Sequence, residues 1–130
     1  MKTTFIIFFL CCSACSKQFP TYAFNIWNEV ISPFSAECAI KANISLNYIN
    51  NMINDGTIPN EVKFNKYLTC IYKNLGYFKD DGNFNMEPML DILYVNEKLM
   101  TKCVEKANAE KDQINKSHVL GSCVVISLSG

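Results

Sequence analysis

The stretch KYLTCIYKNLGYFKDDGNFN, residues 66–85, decides how this chain is read. Leu68, Ile71 and Leu75 recur at intervals of three and four, with Phe64 one turn upstream, which is the period of a helix that buries one face. Gly76 follows directly, the residue best able to take the left-handed backbone that ends a helix. Asp80, Asp81 and Gly82 then read as a solvated turn. Cys70 sits in the middle of this helix. A half-cystine on a helix that already buries one face joins it to another element, so the architecture turns on its partner.

The same period extends outward in both directions. Leu46, Ile49, Met52 and Ile53 form a stripe that Asn54, Asp55 and Gly56 stop, and Ile92, Val95, Leu99, Met100, Cys103 and Val104 form another. Val119, Leu120, Cys123, Val124 and Ile126 make a last stripe, in which Gly121 costs about 1 kcal/mol relative to alanine. Between Phe24 and Ala42, Ile26, Trp27, Val30, Ile31, Phe34, Cys38 and Ile40 are apolar, and Pro33 predicts a kink or break. Met86–Leu93 reads as a brief helix with Pro88 in its first turn. No alternating pattern of useful length occurs. The expectation is an all-α fold of about six helices.

With 130 residues, the chain holds one small domain. Lys2, the apolar run Phe5–Cys12 and the small residues Ser13, Ala14 and Ser16 have the layout of a secretory leader over residues 1–16, cut between Ala14 and Lys17. The run is shorter than a spanning helix requires. A second reading takes Cys12-Ser13-Ala14-Cys15 as a bacterial lipoprotein box, although Cys12 stands where leucine is usual. Loss of the leader leaves eleven lysines against twelve acidic residues and no arginine. Such a chain is poorly equipped for nucleic acid, and no second apolar run predicts stable membrane insertion.

Cys11, Cys12 and Cys15 leave with the leader or lie at its edge, so Cys38, Cys70, Cys103 and Cys123 remain. An even count in an oxidising compartment reads as two disulfides, for which three pairings are open. No two of the four have zinc-ligand spacing, and His118 is the single histidine. Asp80–Asn85 imitates a calcium loop, but counting from Asp81 places Met86 where glycine is needed and Ile92 where the bidentate glutamate belongs. His118 has no acidic neighbour in sequence, so no catalytic dyad forms from local residues; its intrinsic pKa would suit release of a ligand on acidification. No cofactor, metal or enzymatic activity is expected. Asn43-Ile44-Ser45 and Asn115-Lys116-Ser117 both meet the glycosylation rule.

The residues 66–85, the cysteine-bearing helix after them and DQINKSHVLGSC resemble the insect pheromone- and odorant-binding protein family over Phe24–Val125. The family usually has six cysteines, and Lys66 and Ile114 occupy its second and fifth positions. Because the family pairs first with third, second with fifth and fourth with sixth, the two absences are halves of one bridge. The resemblance is therefore to the four-cysteine, minus-C subclass, and it implies Cys38–Cys70 and Cys103–Cys123. The interval between Cys70 and Cys103 is shorter than is common in the family. Loss of the middle bridge predicts a looser contact between the helices carrying Lys66 and Ile114.

The resemblance implies helices around an internal hydrophobic cavity and a secreted, extracellular carrier of odorants, pheromones or similar ligands, with a chemoreceptor as a further partner. Offsets from the cysteines place Ile31, Leu68, Tyr72, Met100, Leu120 and Val124 at ligand-contact positions; pattern adds Met89 and Leu93. Tyr72 and Asn28 offer hydrogen bonds to a ligand oxygen. Nine Phe, six Tyr and five Met fit either an ordinary core or an adaptable cavity wall. Two rivals are a disulfide-bridged helical effector acting through its surface, such as a venom, seminal or defence protein, and the lipid-tethered bacterial protein.

Overall fold

A computed structural model describes residues 19–54 and 58–129. The leader read at residues 1–16, and the Asp55-Gly56 stop, lie outside the described residues. Six α-helices follow in order: α1 Thr21–Ile31, α2 Ser35–Ala42, α3 Leu46–Asn54, α4 Val62–Asn74, α5 Glu97–Asn108 and α6 Gln113–Leu128. A 3₁₀ turn, Glu87–Asp91, stands where the brief helix Met86–Leu93 was expected, with Pro88 in its first turn. The fold is all-α, and the described residues contain no strand beyond a single bridge pair.

Local chemistry sets these boundaries. Ser32 and Pro33 separate α1 from α2, since proline cannot donate the amide hydrogen that a continuous helix needs. Asn43, at φ 58°, ends α2 in the left-handed region, its amide directed at the carbonyls of Ala39 and Ile40. Asn96 and Asp112 cap α5 and α6, accepting from the amides of Leu99 at 2.7 Å and Asn115 at 2.8 Å. Lys116, buried on α6, gives its ammonium to the Asn108 and Glu110 carbonyls at the end of α5.

The end of α4 bears most directly on the site. Gly76 has φ 75°, its amide donates to the Lys73 carbonyl at 3.1 Å, and the Tyr77 amide donates to the Tyr72 carbonyl at 2.9 Å. This is the paired bonding of a Schellman turn. It folds Tyr77 back over Tyr72, with the rings stacked at 5.8 Å. The acidic stretch that follows is a hairpin-like loop: Phe78 pairs with Phe84, their rings are 4.5 Å apart, and Asp81 accepts the Asn83 amide at 2.9 Å.

Both implied disulfides are present. Cys38–Cys70 ties α2 to α4 and Cys103–Cys123 ties α5 to α6, with Cα separations of 5.6 and 5.5 Å. Lys66 and Ile114 flank one surface groove, as expected of neighbours that lack their bridge. One turn further along both helices the Thr69 hydroxyl donates to Ser117 Oγ at 2.7 Å, with both residues buried. Such a bond, sealed from water, costs about 1–3 kcal/mol to break on one side only. The α4–α6 seam therefore carries a buried polar bond one turn from Lys66 and Ile114.

Joining Lys66→Cys to Ile114→Cys should restore that clamp and raise the melting temperature, with an upper bound of about 4 kcal/mol from loop closure. A bridge that forms but lowers the melting temperature would show that the two positions do not face each other.

Candidate functional site

An apolar pocket opens between α1, α4, the 3₁₀ turn, α5 and α6. Its walls grow from the buried stripes of those helices. Trp27 comes from the Ala23–Trp27–Ile31 face of α1, and Leu68 and Tyr72 lie one turn apart on α4. Met89 projects from the 3₁₀ turn and Met100 from α5. On α6, Leu120, Gly121, Val124 and Val125 form the opposite wall, and Phe19 and Ile58 close the ends. Among the described residues, the lining carries no charged side chain.

Six of the eight residues singled out from sequence line this pocket: Leu68, Tyr72, Met89, Met100, Leu120 and Val124. Ile31 and Leu93 do not. Ile31 is buried in the core one turn beyond Trp27, so Trp27 takes the place on α1 that was expected for Ile31. Leu93 is 86% exposed, because the 3₁₀ turn stops at Asp91 and the chain that follows turns Leu93 outward and Tyr94 inward. Asn28 does not reach the lining either.

Sequence reasoning missed Tyr77 and Tyr94 because they sit in non-helical connections, where no period marks an inward face, and marked Val95 only as a member of an apolar stripe. Gly76 was the available signal for Tyr77, since the residue two positions beyond a Schellman cap packs back on the helix. Trp27 was marked only as one member of an apolar run.

The pocket is narrower than the hollow interior expected from sequence. About 50 Å³ of open space remains, against about 300–1,000 Å³ for pockets that enclose a drug-sized ligand. Aromatic rings occupy the rest. Tyr72 is their hub, meeting Trp27 edge-on at 6.2 Å, Phe84 edge-on at 5.6 Å and Tyr77 in a stack. Met89 and Met100 are the wall residues with the most rotatable bonds, and their displacement is the least costly way to enlarge the space.

Electrostatics in the pocket favour uncharged groups. Burial holds the Tyr72 hydroxyl far above the ordinary phenol range, with Tyr94, Tyr77 and Tyr67 adding to the effect. Tyr77 is pushed up to about 12 by burial, with the Asp91 carboxylate adding. Tyr94 is also raised, by burial first and then by Tyr77. All three are neutral hydroxyls at physiological pH.

His118 lies elsewhere, in a surface groove with Lys102, Lys106 and Ile126. Burial lowers its imidazole below the ordinary value, with Glu110 opposing, so its contribution to stability is complete above pH 6.5 and declines as acid protonates the unfolded chain first. The two glycosylation motifs also differ. Asn43 is exposed at a left-handed turn, whereas Ser117 of the second motif is fully buried and hydrogen-bonded.

Six helices locked by two disulfides around an uncharged apolar pocket define a small helical binding protein. The chain belongs to the PBP/GOBP family, the insect pheromone- and odorant-binding proteins, whose sequence profile matches residues 27–126. That span contains every lining residue of the pocket except Phe19. No curated protein and no solved structure matches the chain. The family is one of small-molecule carriers, not of enzymes. No helix among the described residues is long and apolar enough to cross a membrane.

Proposed function

We propose that this chain is a secreted minus-C carrier that binds a small hydrophobic ligand, such as an odorant or pheromone, in the pocket between α1, α4, α5 and α6. The observation that carries the reading is the uncharged lining contributed by five separate elements around Tyr72. Removing apolar surface from water stabilises a bound ligand by about 25 cal/mol per Å², so useful affinity needs no catalytic group. The two disulfides fit the minus-C subclass, and the leader at residues 1–16 fits release into an oxidising fluid. Leu68, Tyr72, Met89, Met100, Leu120 and Val124 are the proposed contact residues. Ligand uptake displaces Met89 and Met100, the most flexible wall residues, and enlarges the space around Tyr72.

The test is titration with N-phenyl-1-naphthylamine, a hydrophobic dye whose fluorescence rises on burial, followed by displacement with small volatile compounds. Micromolar dye binding that Met89→Trp weakens tenfold or more is expected, since indole would occupy the space. Dye binding that Met89→Trp leaves unchanged, or none in the parent chain, would overturn the assignment of this pocket. Surface action as an effector would then be the better account.

A further inference from the structure

A groove with about 340 Å³ of open space runs between α5 and α6 beside the Cys103–Cys123 bridge, and it shares no lining residue with the apolar pocket. Lys102 and Lys106 stand one turn apart on its α5 wall, and His118, Ser122 and Ser127 line it from α6. Neither lysine has an ion-pair partner among the described residues, although Glu105 lies between them in sequence. The Lys102 ammonium instead donates to Ser127 Oγ at 3.2 Å, which holds it over the groove. From Gln113 to Leu128, α6 carries no acidic residue, and among the described residues no carboxylate lines the groove. The Nδ1 of His118 is buried without a hydrogen-bond partner among the described residues. An unpaired lone pair there costs less than an unpaired N–H, so the ring hydrogen is assigned to Nε2 as a further donor. Glu110, the acid that acts on this imidazole, lies outside the groove.

We propose that this groove docks an extended acidic segment of a partner protein, one that sets carboxylates two positions apart against Lys102 and Lys106. Side chains one turn apart on a helix are separated by about 5–6 Å at Cβ, and alternate residues of an extended chain by about 6.6 Å. The two spacings match. An apolar residue further along the segment covers Val119 and Ile126, the latter 62% exposed.

Other occupants fit the groove less well. A free anion would meet exposed lysines singly, and one exposed ion pair contributes little. A bilayer needs protruding apolar groups, and Ile126 is the one large exposed apolar side chain on this groove among the described residues. A second copy could offer Asp80 and Asp81, but these are consecutive, and Asp81 already accepts the Asn83 amide at 2.9 Å. The groove beside α4 also has lysines, yet Lys66 and Lys73 are two turns apart, and Lys41 is paired with Glu37 at 3.8 Å.

The experiment follows the fluorescence anisotropy of a fluorescein-labelled peptide in which glutamate alternates with serine and a leucine closes the sequence. The protein is titrated into it at pH 7.5 and about 0.05 M salt, where screening is weak. Binding should weaken tenfold or more when glutamine replaces glutamate in the peptide, and by as much in the Lys102→Glu, Lys106→Glu variant. Lys66→Glu with Lys73→Glu changes the net charge equally at the other groove and should bind within twofold of the parent. Circular dichroism checks that each variant is folded. No binding by the parent, equal binding of the glutamine peptide, or an equal loss on reversing Lys66 and Lys73 overturns the proposal, the last by showing that net charge alone attracts the peptide. Dimerisation of the parent through Lys102 and Lys106, read by sedimentation, overturns it in favour of a second copy. Tighter binding to phosphatidylserine vesicles through the same lysines overturns it in favour of a membrane surface. Dye uptake belongs to the separate pocket, so its presence or absence bears on the carrier reading alone.

Discussion

Replacing Cys38 and Cys70 together by alanine should lower the unfolding free energy by about 3–4 kcal/mol, the loop-closure value for a bridge spanning 32 positions. That is a large share of the roughly 5–15 kcal/mol that holds a domain folded. The loss should also be local before it is global. What α2 buries is small, Cys38, Ala39 and Ala42, so little hydrophobic contact remains to hold it on α4 once the sulfur link is cut. By contrast, α5 and α6 bury Met100, Val104, Leu120 and Val125 besides their bridged cysteines. Alanines at Cys103 and Cys123 should therefore cost a similar amount while α5 and α6 stay packed. Urea unfolding gives the totals, and amide exchange over residues 35–42 reports the local release. A Cys38/Cys70 variant within 1 kcal/mol of the parent, with α2 amides still protected, would mean that packing and not the bridge secures this helix.

The helical framework was legible because its signals are local. Stripes at three and four positions, Pro33 and Gly76 each place an element or its end without help from the rest of the chain. The disulfide pairing was not legible from spacing; it came from the family resemblance, and the structure bears it out. Offsets from the cysteines carried over to the pocket wall on α4, α5 and α6, where the helix bearing the cysteine fixes the direction of each side chain, but not on α1, which bears no cysteine and presents Trp27 in place of Ile31. Leu93 failed for the opposite reason: it lies past the 3₁₀ turn, where the backbone follows no period and neighbouring residues can exchange inside for outside. The narrowness of the pocket was illegible because it depends on how Trp27, Tyr72, Tyr77 and Phe84 interlock, and Trp27 is distant in sequence from the other three, of which Tyr77 and Phe84 lie in non-helical chain.

Gly121 shows how a residue can look like a defect in sequence and act as a spacer in structure. In a helix interior it sacrifices about 1 kcal/mol relative to alanine. A Cβ there would stand 3.0 Å from Ile58 Cδ1 and 3.2 Å from both Leu68 Cδ1 and the Tyr72 hydroxyl, so the missing side chain is what lets α6 lie against α4 beside the pocket. Gly121→Ala should leave stability within about 1 kcal/mol of the parent, because the helix preference gained offsets the crowding. Gly121→Leu adds three further carbons to a space of about 50 Å³. It should lower stability by about 1–2 kcal/mol and weaken N-phenyl-1-naphthylamine binding tenfold or more, as read by urea unfolding and dye titration. The two variants separate packing from occupancy: alanine tests the close approach alone, whereas leucine also fills the pocket. If the leucine variant bound dye as the parent does, the ligand would have to lodge away from the α4–α6 seam, and the pocket around Tyr72 would lose its claim to be the site.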